Sequence, residues 1–185
     1  MPAGTVATVA ETGTTPQPGT DDGFAGESEF AARVEGFLSD HCSSIGDPGD
    51  DGGETQGLAR TRAFQGALVD AGLAGLTYPT HLGGAGLTPL HQEVFTRVSA
   101  GWRLPDGPLA ISHGMCLPML GQFGTEEQKA RYLPDNISGR AIWCQMFSEP
   151  GAGSDVAGLS MRAVRDGDEW ILDGQKVWTS GAHYC

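Results

Sequence analysis

The chain has 185 residues and a formal net charge of −12 at pH 7, a length that makes one domain, or one and part of another, and lets folding bury about 70% of the surface an unfolded chain exposes. The charge is uneven: residues 1–56 hold eleven acidic residues against Arg33 alone, leaving twelve acidic and ten basic residues in 57–185, so the head is acidic and the body nearly neutral. Nucleic acid and anionic membrane are excluded as partners because both need clustered Lys and Arg, and no stretch approaches the ~20 apolar residues of a membrane helix.

The four cysteines, Cys42, Cys116, Cys144 and Cys185, are irregularly spaced with no Cys-x-x-Cys pair, which reads as reduced packing thiols. No signal-peptide pattern opens the chain, so the expected compartment is the cytoplasm. Residues 1–28 form an acidic tail whose first 27 residues have Phe24 as their one aromatic, a composition that favours disorder. Phe30, Val34, Phe37 and Leu38 fall at i, i+4, i+7 and i+8, the stripe of a first helix over about 29–42. The stretch 43–57, rich in glycine and acid, reads as a mobile loop.

A second helix is expected over about 58–71, with Phe64, Ala67, Leu68 and Ala71 inward and Gly72 in the left-handed position after its end. Tyr78-Pro79 and Gly83-Gly84-Ala85-Gly86 then form a turn-rich connection. Leu90, Val94 and Val98 mark a third helix, and Cys116, Met119, Leu120 and Phe123 a fourth that stops at Gly124. Thr125 with Gln128 makes a capping box for a fifth, favoured by Glu126 and Glu127 at the positive end of its dipole and closed at Pro134.

The period then changes to two. Ile142, Cys144 and Met146 alternate with Trp143, Gln145 and Phe147, the pattern of a strand feeding a glycine-rich loop. Residues 161–165 and 169–172 read as two more strands joined through Asp166-Gly167-Asp168, and Asp173-Gly174 turns into a fourth over 175–180. The fold class is therefore α+β: a helical domain over 29–139, then the start of an antiparallel β domain over 140–185. Closing such a sheet takes more strands, so Val177 and Trp178 are expected on an unpaired edge, with a remainder missing.

Glycine loops after strands invite a nucleotide-binding reading, because backbone N–H groups can approach phosphates closely. The dinucleotide pattern fails here: counted from Gly151, its third glycine falls at Val156, and strand-like residues follow where a helix is required. From the residues alone, Gly151-Ala-Gly-Ser-Asp155 is equally an ordinary turn and Trp178 equally a core residue.

The run Phe147-Ser-Glu-Pro-Gly-Ala-Gly-Ser-Asp-Val-Ala-Gly158, followed by Asp166-Gly-Asp-Glu-Trp-Ile-Leu-Asp-Gly-Gln-Lys-Val-Trp-Thr-Ser180, resembles the flavin-binding signature of the acyl-CoA dehydrogenases. Upstream, Gly72-Leu-Ala-Gly-Leu-Thr-Tyr-Pro79, Leu82-Gly-Gly-Ala-Gly86 and Phe123-Gly-Thr-Glu-Glu-Gln-Lys-Ala-Arg-Tyr-Leu-Pro134 resemble the family's amino-terminal helical domain. The resemblance covers roughly residues 29–185. It implies a helical domain, a middle β domain and a carboxy-terminal four-helix bundle, with FAD between the β domain and the bundle.

Carried over residue by residue, the resemblance implies that Gln145, Met146, Phe147, Ser148, Gly153 and Ser154 contact the flavin, with Ser148 standing where many members have Thr. Ser154 would also meet the substrate thioester. Trp178, Thr179 and Ser180 would flank the ring, a hydroxyl at 180 approaching N5. The implied reaction removes an α proton from an acyl-CoA and passes the β hydrogen as hydride to FAD, giving a 2-enoyl-CoA; an electron-transfer flavoprotein or similar acceptor reoxidises it, and the complete form is a homo- or hetero-oligomer.

The family's catalytic glutamate belongs to the bundle, and no residue of 1–185 matches it, so the isolated chain is expected to be inactive. Glu149 is expected to anchor the loop by accepting backbone N–H groups. Relatives of the same fold act as acyl-CoA oxidases or flavin monooxygenases, and a short non-catalytic subunit of a mixed assembly is a further alternative. His113 and Cys116 at i, i+3 fall short of a metal site, which needs three or four ligands; His183 and Cys185 lie too near the chain end to weigh. Met115, Met119 and Met146 suit an acyl pocket, though core filling is the favoured reading.

Overall fold

A computed structural model describes residues 22–44 and 53–185. Of the tail over 1–28 predicted to be disordered, residues 1–21 lie outside them, and residues 22–28 are helical, against that expectation; of the predicted mobile loop 43–57, residues 45–52 lie outside them, while 43–44 and 53–57 belong to a strand and a helix. Helix α1 spans Asp22–His41 and α2 Gly53–Asp70, so both start several residues before the apolar stripes that predicted them. Between them, β1 (Ser43–Ser44) pairs antiparallel with β2 (Trp102–Arg103), which joins the far end of α1 to the chain after α3 (Pro89–Ser99).

Three of the four residues predicted to face inward from the first helix do so: Phe30, Val34 and Leu38 are buried, Val34 and Leu38 completely, and Phe37 is half-buried. They meet Phe64 and Leu68 of α2, Val94 of α3, and the turn-borne Leu73, Leu76 and Leu82 in one core. Gly72 adopts the expected left-handed φ of 63°, and Arg33 caps this corner by donating to the Ala71 carbonyl. In the Tyr78–Gly86 connection only glycine fits at 84, where a Cβ would stand 2.2 Å from the Tyr78 carbonyl oxygen. Leu90, predicted inward, is exposed, because α3 presents Val94 to the core while its first turn lies at the edge.

The fourth helix differs from its predicted phase. A π-helical turn (Ser112–Cys116) runs into α4 (Leu117–Phe123) and carries it through Pro118, and Leu117 and Leu120 face the core while Met115, Met119 and Phe123 face outward. Both stripes are apolar, so periodicity cannot tell which one the fold buries. The methionines do not fill the core: Met115, Met119 and Met146 are all exposed.

Helix α5 (Glu126–Ile137) has the predicted capping box, Gln128 N–H on Thr125 Oγ1 at 3.2 Å and Thr125 N–H on Gln128 Oε1 at 2.9 Å. It runs past Pro134, against expectation. Proline removes one intrahelical bond, but the turn beyond it buries Asn136 and Ile137, and Gly83 packs directly on the proline, so burial outweighs the lost bond.

From Ile142 onward the architecture thins. Residues 142–148 are extended but form no ladder among the described residues; their one backbone–backbone bond to 175–180 is Val177 N–H to Ser148 O at 2.9 Å. The predicted first and fourth strands are thus extended chain, since a strand requires a partner along its length. The middle pair does form: β3 (Arg162–Asp166) pairs antiparallel with β4 (Glu169–Asp173) through Gly167-Asp168, with Gly167 at φ 62°. Every residue of this hairpin is exposed, including Val164, Trp170, Ile171 and Leu172. Among the described residues no helix is long and apolar enough to cross a membrane.

Candidate functional site

The glycine loop closes on itself through Glu149 and Ala152. Glu149 N–H donates to the Ala152 carbonyl at 2.8 Å and Ala152 N–H returns to the Glu149 carbonyl at 3.0 Å, so Pro150-Gly151 forms a tight turn. Glu149 is the structural centre of the region. Its side chain, on a residue only 4% exposed, accepts Ser160 N–H at 2.7 Å, Ser160 Oγ–H at 2.9 Å, Met161 N–H at 3.0 Å and the Lys176 ammonium at 2.9 Å. The Ser160 N–H first, then the Lys176 contact, hold its carboxyl down at about 2 against an ordinary 4.5.

Lys176 extends the clamp by donating also to the Phe147 carbonyl at 2.8 Å. One buried carboxylate therefore gathers the residues before the loop, the residues after it and the 175–180 segment. The geometry fits the predicted anchoring part for Glu149, and such a carboxylate is too weak a base for proton abstraction near neutral pH. Lys176 and Ser160 were not singled out from the sequence. Lys176 stands within the signature two residues before Trp178, and a lysine beside an anchored glutamate is the signal that could have found it.

Of the candidate residues, Ser148 and Trp178 are drawn together, since Ser148 O accepts Val177 N–H. Gln145 and Ser148 are half-buried, and Met146 and Phe147 exposed. Trp178 is 78% exposed and takes a φ of 56°, a left-handed conformation that costs a non-glycine residue of order 1 kcal/mol or more. It is not a core residue. Thr179 is half-buried and Ser180 exposed where the chain turns.

Gly153 and Ser154 lie on the exposed outer side of the loop, and a Cβ added at Gly151 or Gly153 would meet no atom within 4 Å, so the space beside this backbone is open. The hydroxyls of Ser148, Ser154, Thr179 and Ser180 make no hydrogen bond to other described residues. The region therefore combines open backbone, uncommitted hydroxyls and an uncovered indole, a donor set suited to a flat ligand with a polar edge.

His113 and Cys116 turn to separate partners, His113 Nε2 lying 2.9 Å from the Asn136 carbonyl and the Cys116 thiol 3.9 Å from that of Cys144. Among the described residues no three His, Cys, Asp or Glu side chains converge as metal ligands. Burial pushes the half-buried Cys42 thiol up to about 11, so it stays protonated at neutral pH.

Residues 25–140 match the family model "acyl-CoA dehydrogenase, N-terminal domain", and residues 144–185 match "acyl-CoA dehydrogenase, middle domain". The chain is 39% identical over 159 residues to acyl-CoA dehydrogenase IpdE1 of Mycobacterium tuberculosis, covering 84% of this chain and 41% of the relative. Among solved structures it is similar to the ChsE4-ChsE5 complex of Mycobacterium tuberculosis, with a TM-score of 0.62, 26% identity and coverage of 91% of this chain and 41% of that one. It is also similar to an acyl-CoA dehydrogenase complexed with FAD from Bacillus anthracis, with a TM-score of 0.60, 26% identity and coverage of 84% and 26%. The chain thus spans about two fifths of the length of the curated relative it matches.

Proposed function

The chain belongs to the acyl-CoA dehydrogenase family, and on that premise we propose that residues 145–180 form one wall of an FAD site serving the α,β-dehydrogenation of an acyl-CoA thioester. The observation that carries this reading is the Glu149 clamp, which holds the Phe147–Ser148 backbone against the segment bearing Trp178. The residues present suit the group: a flavin has two apolar faces and a polar edge, and this region offers an uncovered indole, the exposed hydroxyls of Ser154 and Ser180, and open glycine backbone.

Bound FAD supplies a hydride acceptor for the β hydrogen of the substrate. Ser148, its carbonyl already committed to Val177, would turn its hydroxyl to the pyrimidine edge of the ring, with Gln145, Met146 and Phe147 continuing that wall. Trp178 would cover the ring, Thr179 and Ser180 would present hydroxyls toward N5, and Gly153 and Ser154 would meet the pyrophosphate and the thioester. Donors fixed beforehand at those edges favour hydride acceptance, because they need no reorganisation during reaction. The helical domain over 29–139 and the β domain from 140 onward divide the labour: one supports the wall and the other forms it.

Proton abstraction falls to a glutamate that the family resemblance assigns to a carboxy-terminal bundle, so residues 1–185 alone should not turn over substrate. Anaerobic dye reduction with a series of acyl-CoA thioesters tests this directly. No steady rate is expected from the 185-residue chain with FAD, and a rate without oxygen consumption is expected once the bundle is joined to it. Steady turnover by the chain alone contradicts the assignment of the base, and oxygen consumption reassigns the joined protein to the oxidases or monooxygenases of this fold. An electron-transfer flavoprotein is the proposed acceptor. The uncovered apolar side chains on both faces of the hairpin, Val164 with Ile171 on one and Trp170 with Leu172 on the other, support a homo- or hetero-oligomeric assembly that would cover them.

A further inference from the structure

The extended segment 142–148 has no ladder partner among the described residues, yet two backbone groups near its start meet side chains. Trp143 N–H donates to Ser112 Oγ at 3.1 Å, and the Cys116 thiol donates to the Cys144 carbonyl at 3.9 Å. Ser112 and Cys116 stand at i and i+4 of the π-helical turn, so two side chains on one face of that turn take the place of a neighbouring strand. Ser112 is completely buried, and its oxygen also receives Asn136 Nδ2–H of α5 at 2.7 Å. The oxygen thus accepts from two elements at once. Asn136, equally buried, is fixed further by His113 on its backbone carbonyl, while its Oδ1 has no partner among the described residues.

We propose that Ser112 is a positioning residue that pins the start of the 142–148 segment to the helical region, so that Gln145–Ser148 are presented in a fixed place. Lys176 holds the other end at the Phe147 carbonyl, about 13 Å further along an extended chain. A π-helical turn suits this task because it widens the helix locally and re-aims its side chains, which is why such turns recur at functional sites. Trp143 N–H leans on one buried hydroxyl, and losing that hydroxyl leaves the buried Asn136 amide and the half-buried Trp143 N–H without this acceptor. The consequence for FAD rests on the proposed flavin wall; the pinning itself does not.

Hydrogen–deuterium exchange on the 185-residue chain tests it. Ser112→Ala is expected to speed exchange of the Trp143 amide about ten-fold and of residues 144–148 about three-fold, with the core amides of α1, α2 and α3 within about two-fold of the parent. Ser112→Thr, which keeps the hydroxyl, is expected to restore protection. Unchanged exchange at 143–148, or an equal rise throughout the helices, overturns the proposal. Should Ser112→Ala not fold, Cys116→Ala removes the second contact of the same turn and is expected to loosen 143–148 selectively; no change there counts equally against it. FAD fluorescence titration runs alongside. Selective loosening with no FAD binding by the parent chain supports the pinning and contradicts the flavin reading, whereas FAD binding weakened by Ser112→Ala and restored by Ser112→Thr supports both.

Discussion

The helical region and the extended region of this chain are held together by different physics. Helices α1 to α5 close over a shared apolar core in which Val34, Leu38 and Leu133 are completely buried. From residue 142 on, Ile142, Glu149 and Ala152 are the buried residues among those described, and the centre is a carboxylate with four donors. Burial of apolar area is non-directional and fixes a fold robustly. A hydrogen-bonded hub fixes particular backbone groups in particular directions and leaves Ser154, Ser180 and Trp178 exposed. One region supplies stability, and the other spends little on its own core and keeps its polar groups available.

The strongest way to break that contrast is truncation on each side of it. Leu133→Ala should cost about 3 kcal/mol in urea unfolding, whereas Ile171→Ala, at an exposed hairpin position, should stay within about 0.5 kcal/mol. Equal costs would dissolve the distinction. The hub itself should answer to pH. Because the folded carboxyl of Glu149 is depressed to about 2 from 4.5, its contribution is fully present above 4.5 and fades as pH falls through that interval. Exchange at Ser160 and Met161 should therefore accelerate below pH 4.5 before the helical core opens, and Glu149→Gln should show the same opening at neutral pH. Simultaneous opening of both regions in acid would place Glu149 outside any local hub.

Smaller effects sharpen the picture further. Thr125→Ala removes one arm of the capping box on α5 and should lower stability by about 1 kcal/mol, read from the same urea transitions. Met119→Ser, on the outward stripe of α4, should change it by less than about 0.5 kcal/mol; a larger loss would mean that this stripe is covered in solution.

Much of the helical region was legible because its signals are local and redundant: Phe30, Val34 and Leu38 mark a face, Gly72 a stop and Thr125 with Gln128 a start. The failures arose where two local answers were equally apolar or where a distant contact decided. Leu117 and Met119 are both acceptable core residues, and Pro134 reads as a stop until the burial of Asn136 and Ile137 beyond it is known. In the extended region the alternation of Ile142 to Phe147 described a real extended backbone, but pairing depends on a partner that alternation cannot supply. The anchoring part of Glu149 followed from the signature. Its partners Ser160 and Lys176, and the Ser112 contact to Trp143, join residues eleven to thirty-one positions apart, and no period in the sequence encodes them.

The flavin wall is tested most directly by titrating FAD into the 185-residue chain and into its Trp178→Ala and Ser148→Ala variants while following flavin fluorescence. Saturable quenching is predicted for the parent, weakened about ten-fold by loss of the indole and less by loss of the hydroxyl. Absence of saturable binding in the parent, or identical binding in all three, would contradict the assignment of these residues to an FAD site.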